Sequence, residues 1–135
     1  MSRRQLREEI FKLLFRVEFN SPEDMPAQCE MFFDDVDVTF DEGDEKYIQD
    51  KYNKISEKLS EIDKMIDDKT EGWSADRMGK VDLTIIRLGI YEILFDDEVP
   101  ASIAINEAVE LAGKFGQDKS KGFVNAVLAK FAPKE

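Results

Sequence analysis

The chain has 135 residues and a formal net charge of −11 at pH 7. This length suits one compact domain and is too short for two independent domains with a linker. Because the chain has no histidine and a single cysteine, the usual zinc sites, Ser-His-Asp triads, Cys-His pairs and internal disulfides are excluded. No glycine-rich phosphate loop occurs, so we expect no cofactor. The first residues lack the apolar stretch of a signal peptide, and no apolar run approaches the roughly 20 residues of a membrane span. We therefore expect a cytoplasmic protein without a membrane partner.

The negative charge is concentrated in the middle of the chain. Residues 17–79 carry seven basic and nineteen acidic side chains, whereas residues 1–16 carry five basic and two acidic ones. A second basic group, Lys114, Lys119 and Lys121, lies between the last two predicted helices. Two basic patches on an acidic body can bind phosphates locally, while the acidic remainder discourages indiscriminate binding.

Three helices are predicted in the first half of the chain. Ser2 and Gln5 form a capping box for the first one. Its core face, with spacings of three and four residues, comprises Leu6, Ile10, Leu13, Leu14 and Val17. Proline signals place the second helix at residues 27–35. The third follows Gly43, with apolar residues every three or four positions over residues 48–66.

The second half of the chain is also predicted to be helical. After an irregular piece between Gly72 and Gly79, residues 81–95 are apolar on nearly all sides, which is typical of a central, buried helix. Two further helices follow at residues 103–114 and 121–131. No segment shows the sustained alternation of a strand. The sequence therefore predicts an all-α bundle of about six or seven helices.

The acidic segment at residues 35–40 has three interpretations. Asp35 and Asp37 have the spacing of the aspartate motif of haloacid-dehalogenase-like phosphatases. That motif requires a parallel sheet, and no βαβ pattern follows in the sequence. As a calcium loop the segment fails, because Phe40 stands where the tight turn requires glycine. We therefore interpret the segment as a solvated loop between helices, and we expect no metal site.

A ridge of basic and aromatic side chains lies beside the core face of the first predicted helix. At about 100° per residue, the ridge comprises Arg3, Arg4, Arg7, Phe11 and Phe15. Arginine pairs with phosphate and aromatic rings stack on unpaired bases, so the ridge suits single-stranded RNA. The competing interpretation is that the two phenylalanines broaden the core face while the arginines are only solvated.

Four sequence blocks together carry a resemblance to a known family. They are an arginine-rich block at residues 3–8, part of the central helix at residues 88–94, its exit at residues 99–100, and a C-terminal block at residues 103–128. In this order they resemble the NusB family of transcription antitermination factors. The resemblance implies one RNA-binding domain over residues 1–135, with an all-helical fold of two packed helical subdomains.

The resemblance also implies a function. Family members bind the boxA segment of ribosomal RNA leader transcripts together with NusE, a small-subunit ribosomal protein. The pair brings the RNA polymerase elongation complex into a termination-resistant state, and the family member itself makes or breaks no bond. Single-stranded boxA-like RNA, NusE and the elongation complex are therefore the expected partners. Some family members self-associate, which leaves a homodimer open.

The resemblance assigns site residues position by position. The RNA-binding residues that it implies are Arg3, Arg4, Arg7, Lys119, Lys121 and Phe123. The residues that it places toward NusE are Phe15, Glu18 and Asp82. Lys12 replaces a glutamine common in the family and can add a phosphate contact, whereas Phe15 lacks the hydroxyl of the usual tyrosine. Gly122 replaces a lysine and Ala126 a common glycine. The two RNA-binding patches are expected to meet in space.

Several other residues have a structural interpretation. Asn106 and Asn125 lie among apolar neighbours in consecutive predicted helices, which favours internal hydrogen-bond anchors over RNA contacts. Met65, Trp73 and Met78 are expected to fill the core near the subdomain junction.

Two other functions remain open at this point. One is a protein-docking module, in which a partner contributes the RNA. The other is the RNA-binding domain of a ribosomal RNA cytosine methyltransferase, whose N-terminal domain is similar to NusB. Such an enzyme needs a following catalytic domain, so we expect no methyl transfer from a chain that runs from Met1 to Glu135.

Overall fold

The computed structural model describes residues 1–35 and 37–133. Six α-helices occur within these residues, which include no β-strand. The helices are α1 (Arg3–Phe15), α2 (Met25–Phe33), α3 (Glu42–Lys69), α4 (Lys80–Phe95), α5 (Ala101–Phe115) and α6 (Ser120–Ala129). Short 3₁₀ turns occur at Arg16–Phe19 and Ala75–Arg77. The predicted all-α fold is confirmed. None of the described helices combines the length and the hydropathy that a membrane crossing needs.

Each helix after α1 begins at least one residue earlier than predicted, and the cause is clear for α2 and α3. α2 begins at Met25, because Pro26 fits the first turn, where a missing backbone N–H leaves no helical hydrogen bond unmade. α3 takes Gly43 into its first turn, because the Asp41 carboxylate accepts a hydrogen bond from the backbone N–H of Asp44 at 2.7 Å. This carboxylate caps the helix, and the acidic residues of the first turn complement its dipole.

The first compact unit of the chain comprises Met1–Ser56. Its buried apolar side chains come from α1, α2 and the first part of α3. They are Ile10, Phe11, Leu13, Leu14, Met25, Cys29, Phe32, Ile48, Tyr52 and Ile55. Leu6 and Val17, predicted on the core face of α1, are only half-buried. The Arg16 guanidinium donates to the backbone and side-chain oxygens of Gln28 at 3.3 and 3.1 Å and lies over the Phe32 ring, so it fastens the turn after α1 to α2.

The single cysteine of the chain is buried in this unit. Cys29 lies on α2, and the side-chain nitrogen of Gln49 is 3.8 Å from its sulfur. Burial raises the pKa of the Cys29 thiol, against the smaller opposing effects of Gln49 and Arg16. The thiol therefore stays protonated near neutral pH, where Cys29 acts as a small apolar side chain.

The segment between α2 and α3 is the predicted loop wherever the structure describes it; Val36 lies outside the described residues. The Asp35 carboxylate accepts a hydrogen bond from the backbone N–H of Asp37 at 2.9 Å. The centroid of the Phe40 ring lies 5.7 Å from the ring centroid of Phe32 and 5.4 Å from that of Phe33. These aromatic contacts hold the end of the loop against α2.

The second compact unit comprises Glu57–Glu135, and α4 lies at its centre. α4 packs against both α5 and α6, and residues 83–92 are all buried. The predicted central, buried helix is therefore confirmed. Gly89 permits a close approach of α4 and α6, because a Cβ at this position would lie only 2.7 Å from Cδ1 of Leu128.

A bidentate ion pair joins α3 to α4 within this second unit. Arg87 donates from Nε to Oδ1 of Asp63 at 2.8 Å and from Nη2 to Oδ2 at 2.7 Å. Arg87 is only 9% exposed. Both oxygens of the carboxylate thus accept hydrogen bonds from a mostly buried guanidinium, in the paired geometry that arginine and carboxylate favour.

Candidate nucleic-acid interface

Two exposed arginines stand at the first turn of α1. The capping box predicted from the sequence is present: the Ser2 hydroxyl accepts from the Gln5 N–H at 3.1 Å, and the Gln5 side chain accepts from the Ser2 N–H at 2.8 Å. This cap fixes the start of the helix and therefore the positions of Arg3 and Arg4, both of which are exposed. The first turn contains no acidic residue. The positive end of the helix dipole and two guanidinium groups thus coincide, which favours an anion.

The remaining members of the predicted ridge are less accessible. Arg7 is 8% exposed and Phe11 is 3% exposed, so Phe11 follows the competing interpretation and broadens the core face. Phe15 is half-buried and lies about 20° around α1 from Arg4. The exposed part of the ridge therefore consists of Arg3, Arg4 and part of Phe15. An RNA contact by Arg7 stays a prediction.

Lys12 lies on a different face of α1 from Arg3 and Arg7. Five residues separate it from Arg7, which at about 100° per residue corresponds to about 140° around the helix. Its ammonium group pairs with the Glu9 carboxylate at 3.1 Å. Such surface pairs contribute little, about 0–1 kcal/mol, so Lys12 can exchange Glu9 for a phosphate. The structure does not bring Lys12 onto the face of Arg3 and Arg7.

The predicted C-terminal patch is divided between two sides of α6. Lys119 and Phe123 are four residues apart and share one face, and the Phe123 N–H donates to the Lys119 carbonyl at 3.1 Å. Lys121 lies about 160° around the helix from Phe123. Its side chain covers Gly113 of α5, where an added Cβ would lie 2.3 Å from Lys121 Cε. Both lysines are exposed and Phe123 is half-buried.

Trp73 was expected in the core, and this expectation is wrong. The side chain is 51% exposed, and its ring meets the ring of Phe123 at a centroid distance of 5.3 Å and an angle of 64°. Of the two methionines expected with it, Met78 is buried and Met65 is half-buried. The flanking residues Gly72 and Ser74 were a signal for exposure, because such residues favour turns over a packed helix.

The predicted internal role of two asparagines is also wrong. Asn106 on α5 and Asn125 on α6 are both exposed. The buried face of α5 is formed by Ala104, Ala108, Leu111 and Ala112. Asn106 lies about 160° around the helix from Ala104, so water can satisfy its amide. In the described part of the chain, no buried side-chain nitrogen or oxygen lacks a hydrogen-bond partner.

The residues predicted to face NusE fall into both units. In the first unit, Phe15 lies 6.0 Å from Phe11 and 5.1 Å from Phe19 between ring centroids, and Glu18 is half-buried. Phe19 is highly exposed. In the second unit, Asp82 is half-buried and lines an open cleft of about 320 Å³. Within residues 1–35 and 37–133, no cluster of acidic, cysteine or histidine side chains is arranged to hold a metal ion.

Comparison with known proteins identifies relatives across the whole chain. The model of the NusB family matches residues 4–133. The "Transcription antitermination protein NusB" of Agathobacter rectalis is 50% identical over 132 residues, which cover 98% of this chain and 100% of the relative. The protein of the same name from Lachnoclostridium phytofermentans is 49% identical over 130 residues, covering 96% of this chain and 98% of the relative.

Solved structures agree with these sequence relatives. NusB of T. maritima has a TM-score of 0.86 at 36% identity, covering 98% of this chain and 91% of that chain. A NusB crystallised with NusE and double-stranded RNA has a TM-score of 0.80 at 24% identity, covering 96% of this chain and 95% of that chain; this second likeness shows the fold. The chain belongs to the NusB family.

Proposed function

We propose that the protein is a transcription antitermination factor. It binds boxA-type single-stranded RNA of ribosomal RNA leader transcripts together with NusE, and thereby makes the RNA polymerase elongation complex resistant to termination. It acts by binding and not by catalysis, in the cytoplasm, where the transcript is made. The exposed Arg3 and Arg4 pair at the capped start of α1 is the observation that carries the RNA-binding part of the proposal.

The division of charge explains how an acidic protein binds RNA selectively. The overall charge of −11 repels nucleic acid in most orientations. At the start of α1, the guanidinium groups of Arg3 and Arg4 form charge-assisted hydrogen bonds with phosphate. At the start of α6, Lys119 supplies a further cation and Phe123 a ring for stacking on an unpaired base. We propose that these two patches contact the same RNA.

An RNA titration followed by NMR tests this proposal. Short boxA-like RNA is added to the labelled protein, alone and with NusE, and backbone amide signals are recorded at two salt concentrations. Signals of residues 3–7 and 119–123 are expected to shift together and to report one dissociation constant that increases with salt. Absence of binding under both conditions, or binding that salt does not change, would contradict the proposal. Shifts confined to one patch would contradict the shared site.

A docking module without its own RNA site is the second candidate. Burial of Arg7 and Phe11 reduces the accessible ridge, while Phe19 exposes 61% of its surface beside Phe15. These features favour a protein contact at the end of α1 and the 3₁₀ turn that follows it. The two functions differ in one result: charge reversal at Arg3 and Arg4 leaves complex assembly unchanged for a docking module, but weakens it if the protein binds the RNA itself.

Gly122→Lys is expected to increase RNA affinity with little change of stability. Gly122 is exposed in the first turn of α6, and an added Cβ meets no atom within 4 Å. Lysine has a higher helix propensity than glycine, by about 0.5–1 kcal/mol, but a cation at the positive end of the helix dipole costs about 0.3–1 kcal/mol. The lysine also restores the cation usual in the family beside Phe123. Urea denaturation measures the stability, and fluorescence anisotropy of labelled RNA measures the affinity.

Gly122→Ala is the matched control for this substitution. It is expected to be more stable than the lysine variant, because alanine has the helix propensity without a cation at the start of the helix. It should leave RNA affinity unchanged, because it adds no charge. If the alanine and lysine variants bind RNA equally well, the phosphate contact attributed to a lysine at this position does not form.

A further inference from the structure

An exposed tryptophan lies beside the C-terminal patch. Single exposed apolar side chains are common on protein surfaces, so the exposure of Trp73 alone carries no inference. The position of Trp73 is more informative. Its ring packs against the ring of Phe123 with a centroid distance of 5.3 Å, and Phe123 is a residue of the proposed RNA site. The rings meet at 64°, so they do not cover each other as parallel stacked rings would. A flat third group, such as a nucleobase, can therefore stack on this pair.

The backbone on either side of Trp73 is held in a defined turn. Gly72 has a φ of +79°, a conformation that glycine adopts readily, and it turns the chain directly before Trp73. The Trp73 N–H donates to the Thr70 carbonyl at 3.3 Å. The buried Thr70 hydroxyl lies within hydrogen-bond distance of the Trp73 carbonyl. A ring held on such a turn loses little conformational freedom when a ligand binds.

The charges around the two rings are mixed. The Arg77 guanidinium contacts the carbonyl of Gly72 at 3.5 Å, and Lys119 lies one helical turn before Phe123 on the same face. Asp76 is close to the same turn, with its carboxylate 2.5 Å from the Ser74 hydroxyl. Two cations against one carboxylate leave only a small positive excess at this turn, so stacking on the rings is the stronger contribution available to a base here.

We infer that Trp73 is a further RNA-binding residue, whose indole stacks on an unpaired base beside Phe123. The inference rests on the proposed function and extends it by one aromatic contact that the family motifs did not indicate. Stacking on an aromatic side chain is tolerant of base identity. A neutral ring displaces no counterions, so its contribution depends little on salt. Trp73 should therefore raise affinity without defining which base is read.

The single tryptophan of the chain makes the test direct. Labelled boxA-type RNA is titrated into the full chain, and tryptophan fluorescence and RNA anisotropy are recorded in parallel. Indole fluorescence is expected to be quenched with the dissociation constant that anisotropy gives. Trp73→Leu is expected to weaken binding by about 5- to 100-fold, with an unchanged dependence on salt, because no charge is removed. Trp73→Phe keeps a ring and should lose less.

Two controls separate stacking from other causes. Thermal unfolding monitored by circular dichroism establishes that each variant is folded, and Trp73→Phe provides a milder variant should Trp73→Leu unfold. Tyr47→Leu removes another exposed aromatic ring, on α3, and should leave RNA affinity unchanged.

The outcomes distinguish this inference from the proposed function. If the unaltered chain binds RNA but Trp73→Leu binds equally well, the inference is overturned while the function stands. If Trp73→Leu weakens only the binding of NusE, Trp73 belongs to a protein contact and the inference is again wrong. If the unaltered chain fails to bind RNA, with or without NusE, both fail.

Discussion

Replacing Arg3 and Arg4 together by glutamine is expected to weaken binding of boxA-type RNA by about 10- to 100-fold, the effect of losing one or two hydrogen bonds to a charged group. Both side chains are exposed at the capped start of α1, so the substitutions remove charge without opening the core. Anisotropy of labelled RNA over a series of salt concentrations measures the effect. The slope of log K against log salt should decrease by about 0.7 for each single-strand phosphate contact that is lost.

A matched variant distinguishes local contacts from the overall charge. Lys46→Gln with Lys54→Gln removes the same number of positive charges from exposed positions on α3. If Arg3 and Arg4 contact phosphate directly, the lysine variant binds nearly as tightly as the unaltered chain. Equal losses for the two double variants would mean that only the total charge matters, and the proposed site at the start of α1 would then be wrong.

Helical periodicity predicted the fold well because it reports which side of each helix faces the core. The apolar surround of residues 81–95 indicated a central helix, and the structure buries residues 83–92 without interruption. The boundaries were less predictable, since they depend on single caps. The Asp41 side chain starts α3 before Gly43, although a glycine there normally indicates the end of regular structure.

The sequence predicted less of the candidate site. The position of Arg3 and Arg4 follows from the local capping box, which is visible in the sequence. Trp73 was misplaced because burial of an aromatic residue in an irregular segment depends on the turn that carries it, here set by Gly72. Lys119 and Lys121 lie about 160° apart around α6, but the sequence prediction began this helix at residue 121 and left Lys119 in the loop, whereas Lys119 is the N-cap of α6. Local patterns thus give helices and caps, whereas tertiary packing determines which ligand-binding side chains are accessible.

Asp63→Ala is expected to lower the free energy of unfolding by about 2–3 kcal/mol. The substitution removes the two hydrogen bonds that Arg87 donates to the Asp63 carboxylate, at 2.8 and 2.7 Å, and leaves the guanidinium in a site where only 9% of the residue is exposed. Breaking a fully buried pair costs about 3–5 kcal/mol. The Asp63 side chain is 31% exposed, so water compensates part of that cost. Urea denaturation measures the change as a lower midpoint at constant m-value.

Two further variants test whether charge or packing accounts for this loss. Asp63→Asn keeps the shape and one acceptor oxygen, so it should lose less stability than Asp63→Ala. The double variant with Asp63→Leu and Arg87→Met replaces the pair by apolar groups and should recover much of the stability, because neither charge of the pair then remains. An unchanged midpoint for Asp63→Ala would mean that the ion pair contributes nothing to stability. Equal losses in the alanine and double variants would instead attribute the effect to packing between α3 and α4.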